Sequence, residues 1–171
     1  LGNYTIPLDI GARDMAFPRL NMLSYWFLVV GSVLLLASFL VPGRAAGSGW
    51  TVYAPLSSST EVTPGWGQDL FILGLALDAV SILMGGVNYI TTIMQLRAPG
   101  MTLRRLPLTL WGLLYSAVLN TLWLPIVASA LFMVLCDRRL GTAFFLAGPL
   151  APHAGGQVLL YQHLFWGFGH P

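Results

Sequence analysis

The side chains most able to do chemistry are imidazoles and carboxylates set in apolar surroundings. His163 and His170 lie in the run YQHLFWGFGHP, residues 161–171. A neutral imidazole ligates copper or haem iron and costs less to bury than a carboxylate. Pro171 removes one backbone hydrogen bond and leaves the Gly167 carbonyl free, and Gly167 and Gly169 permit close approach of a bulky neighbour. Against ligation stands the commoner fate of a lone histidine on an apolar face, which is packing. Seven residues separate His163 from His170, about 10 Å along a helix, so the two cannot share one ion. His153 falls in a loop, and the single Cys136 excludes an intrachain disulfide and a multi-cysteine metal site.

A second constellation is polar. Asp78, Ser81, Asn88 and Thr92 are spaced by 3, 7 and 4 residues, which places them on one helix face, and Gly85 continues it. Asn21 and Ser24 form a similar turn on the preceding apolar segment, with Asp14 just before it. An acid at a surface followed by amides and hydroxyls going inward suits a water-filled proton path, because carboxylates collect protons and neutral groups hold the relaying waters. Asn88, nine residues from Arg97, lies about 13 Å deep, and Ser81 about 10 Å deeper. Hydroxyls and amides on such helices also pin one helix to another, and spacing alone leaves both accounts open. Asp78 is either a titrating group or is partnered from outside this sequence.

The elements that must position these groups are membrane helices. Only 8% of the 171 residues are charged and 56% are hydrophobic, too few charges to cover a water-facing surface. The fold expected is all-α, a polytopic transmembrane helix bundle. Charge-poor apolar runs predict helices over 21–42, 70–96, 106–136 and 158–171, the last one truncated. Residues 1–171 are read as part of one transmembrane domain. Pro107 suits a first turn, and Pro125 predicts a kink. Residues 41–69, 97–105 and 137–157 read as loops. The chain starts at Leu1 and stops inside an apolar run, which suggests an internal fragment of a larger membrane protein.

All eight basic residues are arginine and they are dispersed, so no nucleic-acid partner is expected. Arg13, Arg19, Arg97, Arg104 and Arg105 lie on one side, and Arg44, Arg138 and Arg139 on the other. Five against three makes the first side cytoplasmic. Trp26, Trp50, Trp66, Trp111 and Trp123 fit an interfacial belt, whereas Trp166, one turn before His170, suits the interior. No phosphate loop, Ser/His/Asp set or zinc-type Cys/His cluster is visible.

Four segments together resemble a known family. They are GNYTIPLDIGARDMAFPRLNMLSYW (2–26), GWTVYAPLS (49–57), NYITTIMQLRAPGMTLRRLPLTLW (88–111), and DRRLGTAFF with LYQHLFWGFGHP (137–145 and 160–171). In this the chain resembles subunit I of the haem–copper oxidases, in its cytochrome c oxidase branch. The resemblance implies a bundle of roughly twelve transmembrane helices, of which this chain carries the end of the second, the third to fifth and the start of the sixth. It implies reduction of dioxygen to water with electrons from cytochrome c, coupled to proton pumping. Low-spin and high-spin haem and copper are the implied cofactors, with most ligands outside this sequence. Oxidase subunits II and III, cytochrome c and membrane lipid are the implied partners, and a bacterial plasma membrane the implied location.

By motif position, His170 matches a histidine ligand of copper, and Asp14 matches the acid at the cytoplasmic mouth of a proton channel. Asn3, Asn21, Ser24, Ser81 and Asn88 match polar groups along that channel. Trp50 matches a tryptophan on a haem propionate, and Trp166 an aromatic near the binuclear centre. Departures are Met22, where a second asparagine is usual, Ala54 before Pro55, Gly167 in place of an aromatic, and a long loop over 146–157. Asp78 has no counterpart in the resemblance. A quinol oxidase of the same superfamily, a nitric oxide reductase and a non-redox membrane transporter are the competing readings; the Asp14 motif argues against the reductase.

Overall fold

A computed structural model describes residues 1–43, 45–147 and 155–169. His153 and His170, and with them the expected copper ligand and much of the 146–157 loop, lie outside the described residues. Every regular element described is helical: α1 (Gly2–Ile10), α2 (Pro18–Ala37), α3 (Gly67–Gln95), a 3₁₀ turn (Leu103–Arg105), α4 (Leu108–Arg139) and α5 (Val158–Gly169). Three of them, α2, α3 and α4, are long and apolar enough to cross a membrane. Helix α3 packs against both α2 and α4, α5 packs on α4, and the short α1 lies against α3 and α4.

Helix α2 shows why the solvent is apolar. Its buried residues are Ser24 and Gly31, while Met22, Leu28, Val33 and Leu36 are exposed. That pattern inverts the one water imposes and fits helices that meet through small and polar residues. A Cβ at Gly74 would lie 2.8 Å from the Gly31 carbonyl, so the two backbones touch there. Gly86 serves the α3–α4 contact in the same way: its Cβ would lie 2.7 Å from Thr121 Oγ1.

Two apolar clusters hold opposite ends. Ile6, Ile10, Met15, Ile93, Leu110 and Leu114 tie α1 to the C-terminal end of α3 and the N-terminal end of α4. Val52, Ile72, Leu131, Phe145, Tyr161 and Phe165 join the long α2–α3 loop to α3, α4 and α5 at the other end.

The helix ends depart from the sequence expectation for identifiable reasons. Helix α2 begins at Pro18, since proline suits the first turn, and ends at Ala37, with the Ser38 hydroxyl donating to the Leu35 carbonyl at 2.5 Å. Helix α3 begins at Gly67, so Asp69 belongs to its first turn, where a carboxylate meets the positive end of the helix dipole. Helix α4 runs on to Arg139 and is continuous across Pro125. Thus Asp69, Asp137, Arg138 and Arg139 are helical residues, not the loop residues expected. Asp137 ends α4 by accepting the backbone N–H groups of Phe144 and Phe145 at 2.8 and 2.9 Å.

Candidate functional site

A cavity of about 820 Å³ opens between α1, α2, α3 and α4. Asn3, Asp14, Asn21, Ser24 and Ser81 all line it, although they come from three helices and a turn. Five of the six expected path residues therefore share one space. Asp14 is exposed at one end, and its Oδ1 accepts the Met15 N–H at 2.7 Å. Ser24, in the first half of α2, and Ser81, at the middle of α3, meet: Ser81 Oγ donates to the Ser24 carbonyl at 2.6 Å, and Ser24 Oγ donates to the Asn21 carbonyl at 2.8 Å. Each hydroxyl oxygen keeps lone pairs with which to accept from water. Asn21 Oδ1 is buried with no partner among the described residues, and a buried amide oxygen without a protein partner is a place for water. Gly85 lines the wall, and no atom lies within 4 Å of where a Cβ would stand, so its missing side chain is open volume.

Asn88 behaves differently. It is fully buried and does not line the cavity. Its Oδ1 accepts the Phe17 N–H at 2.9 Å, and its Nδ2 donates to the Phe17 carbonyl at 3.4 Å. Thr92 Oγ1 accepts the neighbouring Ala16 N–H at 2.9 Å and donates to the Asn88 carbonyl at 2.6 Å. This end of the α3 stripe clamps the turn before α2, supplying from another helix the cap that α2 lacks locally. The two accounts left open by spacing thus divide by position: Asn88 and Thr92 pin, while Ser81 both pins and lines.

Sequence reasoning missed Ser116 and Asn120 of α4 and Tyr89 of α3, which complete the wall. Ser116 and Asn120 are one turn apart, a signal that was legible but is diluted by the apolar residues around them. It also missed a buried ionic cluster at the opposite end. Arg138, with its side chain fully buried, bonds Asp69 Oδ1 at 2.7 Å, the Ser57 carbonyl at 2.9 Å and Thr63 at both its hydroxyl and its carbonyl. Arg139 pairs with Asp69 Oδ2 and lies 3.9 Å over the Trp66 ring.

Trp50, Tyr53, Phe145, Tyr161, Phe165 and Trp166 gather near this same end. Trp50 is exposed and meets Phe165 edge-on at 5.8 Å. Trp166 donates from Nε1 to the Tyr53 hydroxyl and is part-exposed at 36%, less enclosed than the interior position expected. His163 is exposed, with Nδ1 2.8 Å from the Leu159 carbonyl. Among the described residues no three His, Cys, Asp or Glu side chains converge as a metal site.

A family model described as cytochrome c and quinol oxidase polypeptide I matches residues 1–171. The chain is 48% identical over 177 residues to an alternative cytochrome c oxidase subunit 1 of Bradyrhizobium diazoefficiens, covering 99% of this chain and 30% of that protein. It is 50% identical over 169 residues to a probable cytochrome c oxidase subunit 1-beta of Nocardia farcinica, covering 99% and 28%. It is 47% identical over 174 residues to cytochrome c oxidase subunit 1 of Cereibacter sphaeroides, covering 99% and 29%. The chain thus spans less than a third of the length of these curated relatives.

Proposed function

The chain belongs to the cytochrome c and quinol oxidase polypeptide I family, and from that premise we propose that it supplies the proton-uptake part of the catalytic subunit of a terminal respiratory oxidase. The reaction is reduction of dioxygen to water with electrons from cytochrome c, coupled to proton pumping across a bacterial plasma membrane. Haem and copper supply the redox chemistry when bound. His170 is the copper ligand this sequence offers, while the described residues form no metal donor set of their own. Trp50 and Trp166, on the rim of the aromatic cluster, are the candidates to border a haem propionate and the binuclear centre.

The observation that carries the reading is the cavity. Asp14 takes a proton from water at the cytoplasmic mouth. Waters inside exchange it along Asn3 and Asn21 to the serine pair Ser24 and Ser81. The volume exceeds the ~30 Å³ share of one liquid water many times over, so a connected chain of waters fits. The neutral walls orient these waters without trapping the proton, and among the described residues Asp14 is the one carboxylate on them. Asn88 and Thr92 keep the mouth in place by holding the 16–17 backbone.

In the intact oxidase, Asp14→Asn should slow proton uptake and turnover by about tenfold or more, the scale of a lost acid–base group. Unchanged turnover and pumping would refute the path. Cytochrome c is favoured over quinol as donor because the relatives named above are cytochrome c oxidases; faster oxidation of a quinol than of reduced cytochrome c would reverse that choice.

A further inference from the structure

Asp78 is the carboxylate that the path above does not use. It lies three residues beyond Ser81 on the same face of α3, about 4.5 Å further along the helix. Ser81 is the fifteenth of the 29 residues of α3, so Asp78 sits just past the middle of a spanning helix. Its Oδ1 is buried and has no hydrogen-bond partner among the described residues. Opposite it, α2 presents Gly31, where a Cβ would fall on the Asp78 carboxyl oxygen. The glycine therefore makes room for Oδ1 at the α2–α3 contact, while the residue as a whole is half-buried.

Among the described residues nothing nearby offsets a charge. Helix α2 carries no ionisable side chain between Tyr25 and its end at Ala37, and α4 carries none between Tyr115 and Cys136. Both ion pairs among the described residues use Asp69, at the far end of α3. An ionised, unpaired carboxylate at this depth is costly, and such residues face a proton or ion pathway when they occur. The cavity ends at Ser24, Leu28 and Ser81, one turn short of Asp78.

We propose that Asp78 is a second proton-carrying carboxyl, set at the inner end of the uptake path and loaded over Ser81. The inference rests on the path proposed above. At rest Asp78 is the neutral acid. It gives its proton onward toward the oxygen-reducing side and is refilled by one proton from the water at Ser81, with no other bond made or broken. Gly31 is its positioning residue.

The test uses the complete oxidase, with haem absorbance as the check on assembly. Asp78→Asn keeps the shape and removes the proton; turnover should fall about tenfold or more, and one protonated-carboxyl band should vanish from the redox-induced infrared difference spectrum. If Asp78→Asn does not assemble, Asp78→Glu retains the acid, and the band should shift. Asp14→Asn is measured beside it. A slow Asp14→Asn with unchanged turnover and infrared bands in the Asp78 variants overturns this inference and leaves the path standing. An unaffected Asp14→Asn removes the path, and the role of Asp78 on it.

Discussion

Removing one charge from the Arg138–Asp69 cluster should be expensive, and removing both should cost less than the two parts added together. The Arg138 side chain is fully buried and Asp69 is 8% exposed. Breaking a buried pair from one side costs about 3–5 kcal/mol, because it strands the other charge. Asp69→Ala belongs at the low end of that range, since Arg138 keeps its bonds to the Ser57 and Thr63 carbonyls. The released Arg139 is 38% exposed and its pairing adds little. Arg138→Met belongs at the high end: it strips the donor from the 57–63 backbone and leaves Asp69 held by Arg139 alone. In the double variant no charge is stranded in the core, so its cost should fall short of the sum by about 2–3 kcal/mol.

Equilibrium denaturation of the intact protein in detergent, followed by haem absorbance, gives the three differences. Limited proteolysis of the 41–66 loop reports whether the damage is local. Because the pair is buried, raising salt should leave the differences unchanged. A cost for Asp69→Ala below about 1 kcal/mol, the value of an exposed pair, or strict additivity in the double variant, would refute the reasoning.

Two further outcomes follow from the α3 face. Asn88→Ala strands the Phe17 N–H and should destabilise by about 1–3 kcal/mol; hydrogen exchange at residues 16–17 should rise, and protection there as in the unsubstituted protein would sink the clamp. Gly85 and Gly86 are adjacent yet should respond oppositely. Gly85→Ala projects into open cavity and should change stability by no more than about 1 kcal/mol while slowing proton uptake. Gly86→Ala drives a Cβ to 2.7 Å from Thr121 Oγ1 and 3.2 Å from the Ala117 carbonyl, which should cost about 1–3 kcal/mol. Equal stability changes in the two variants would count against the α3–α4 contact as described.

The helices were legible because a membrane span needs a long, charge-poor apolar run, and α2, α3 and α4 each supply one, that of α3 interrupted only by Asp78. Their ends were not, because hydropathy treats a charge as a terminator. Asp69 and Arg138 are charged but answer each other across two helices, so both helices continue through them. Helix α1 has nine residues with Pro7 inside it; on periodicity it is invisible, and only the resemblance implied a helix there. The cavity was half legible. A stripe on one helix shows which residues face together, but not what stands opposite, so Ser116 and Asn120 escaped, and Asn88 could not be told from a wall residue. Its burial has a physical cause: the turn before α2 leaves backbone groups without a local cap, and an amide is the side chain that satisfies an N–H and a carbonyl together. Pinning a neighbour and lining a cavity are therefore not rival uses of one polar stripe. Asn88 and Thr92 hold the turn at one end of the cavity, and the residues beyond them, Ser24 and Ser81, are left on its wall.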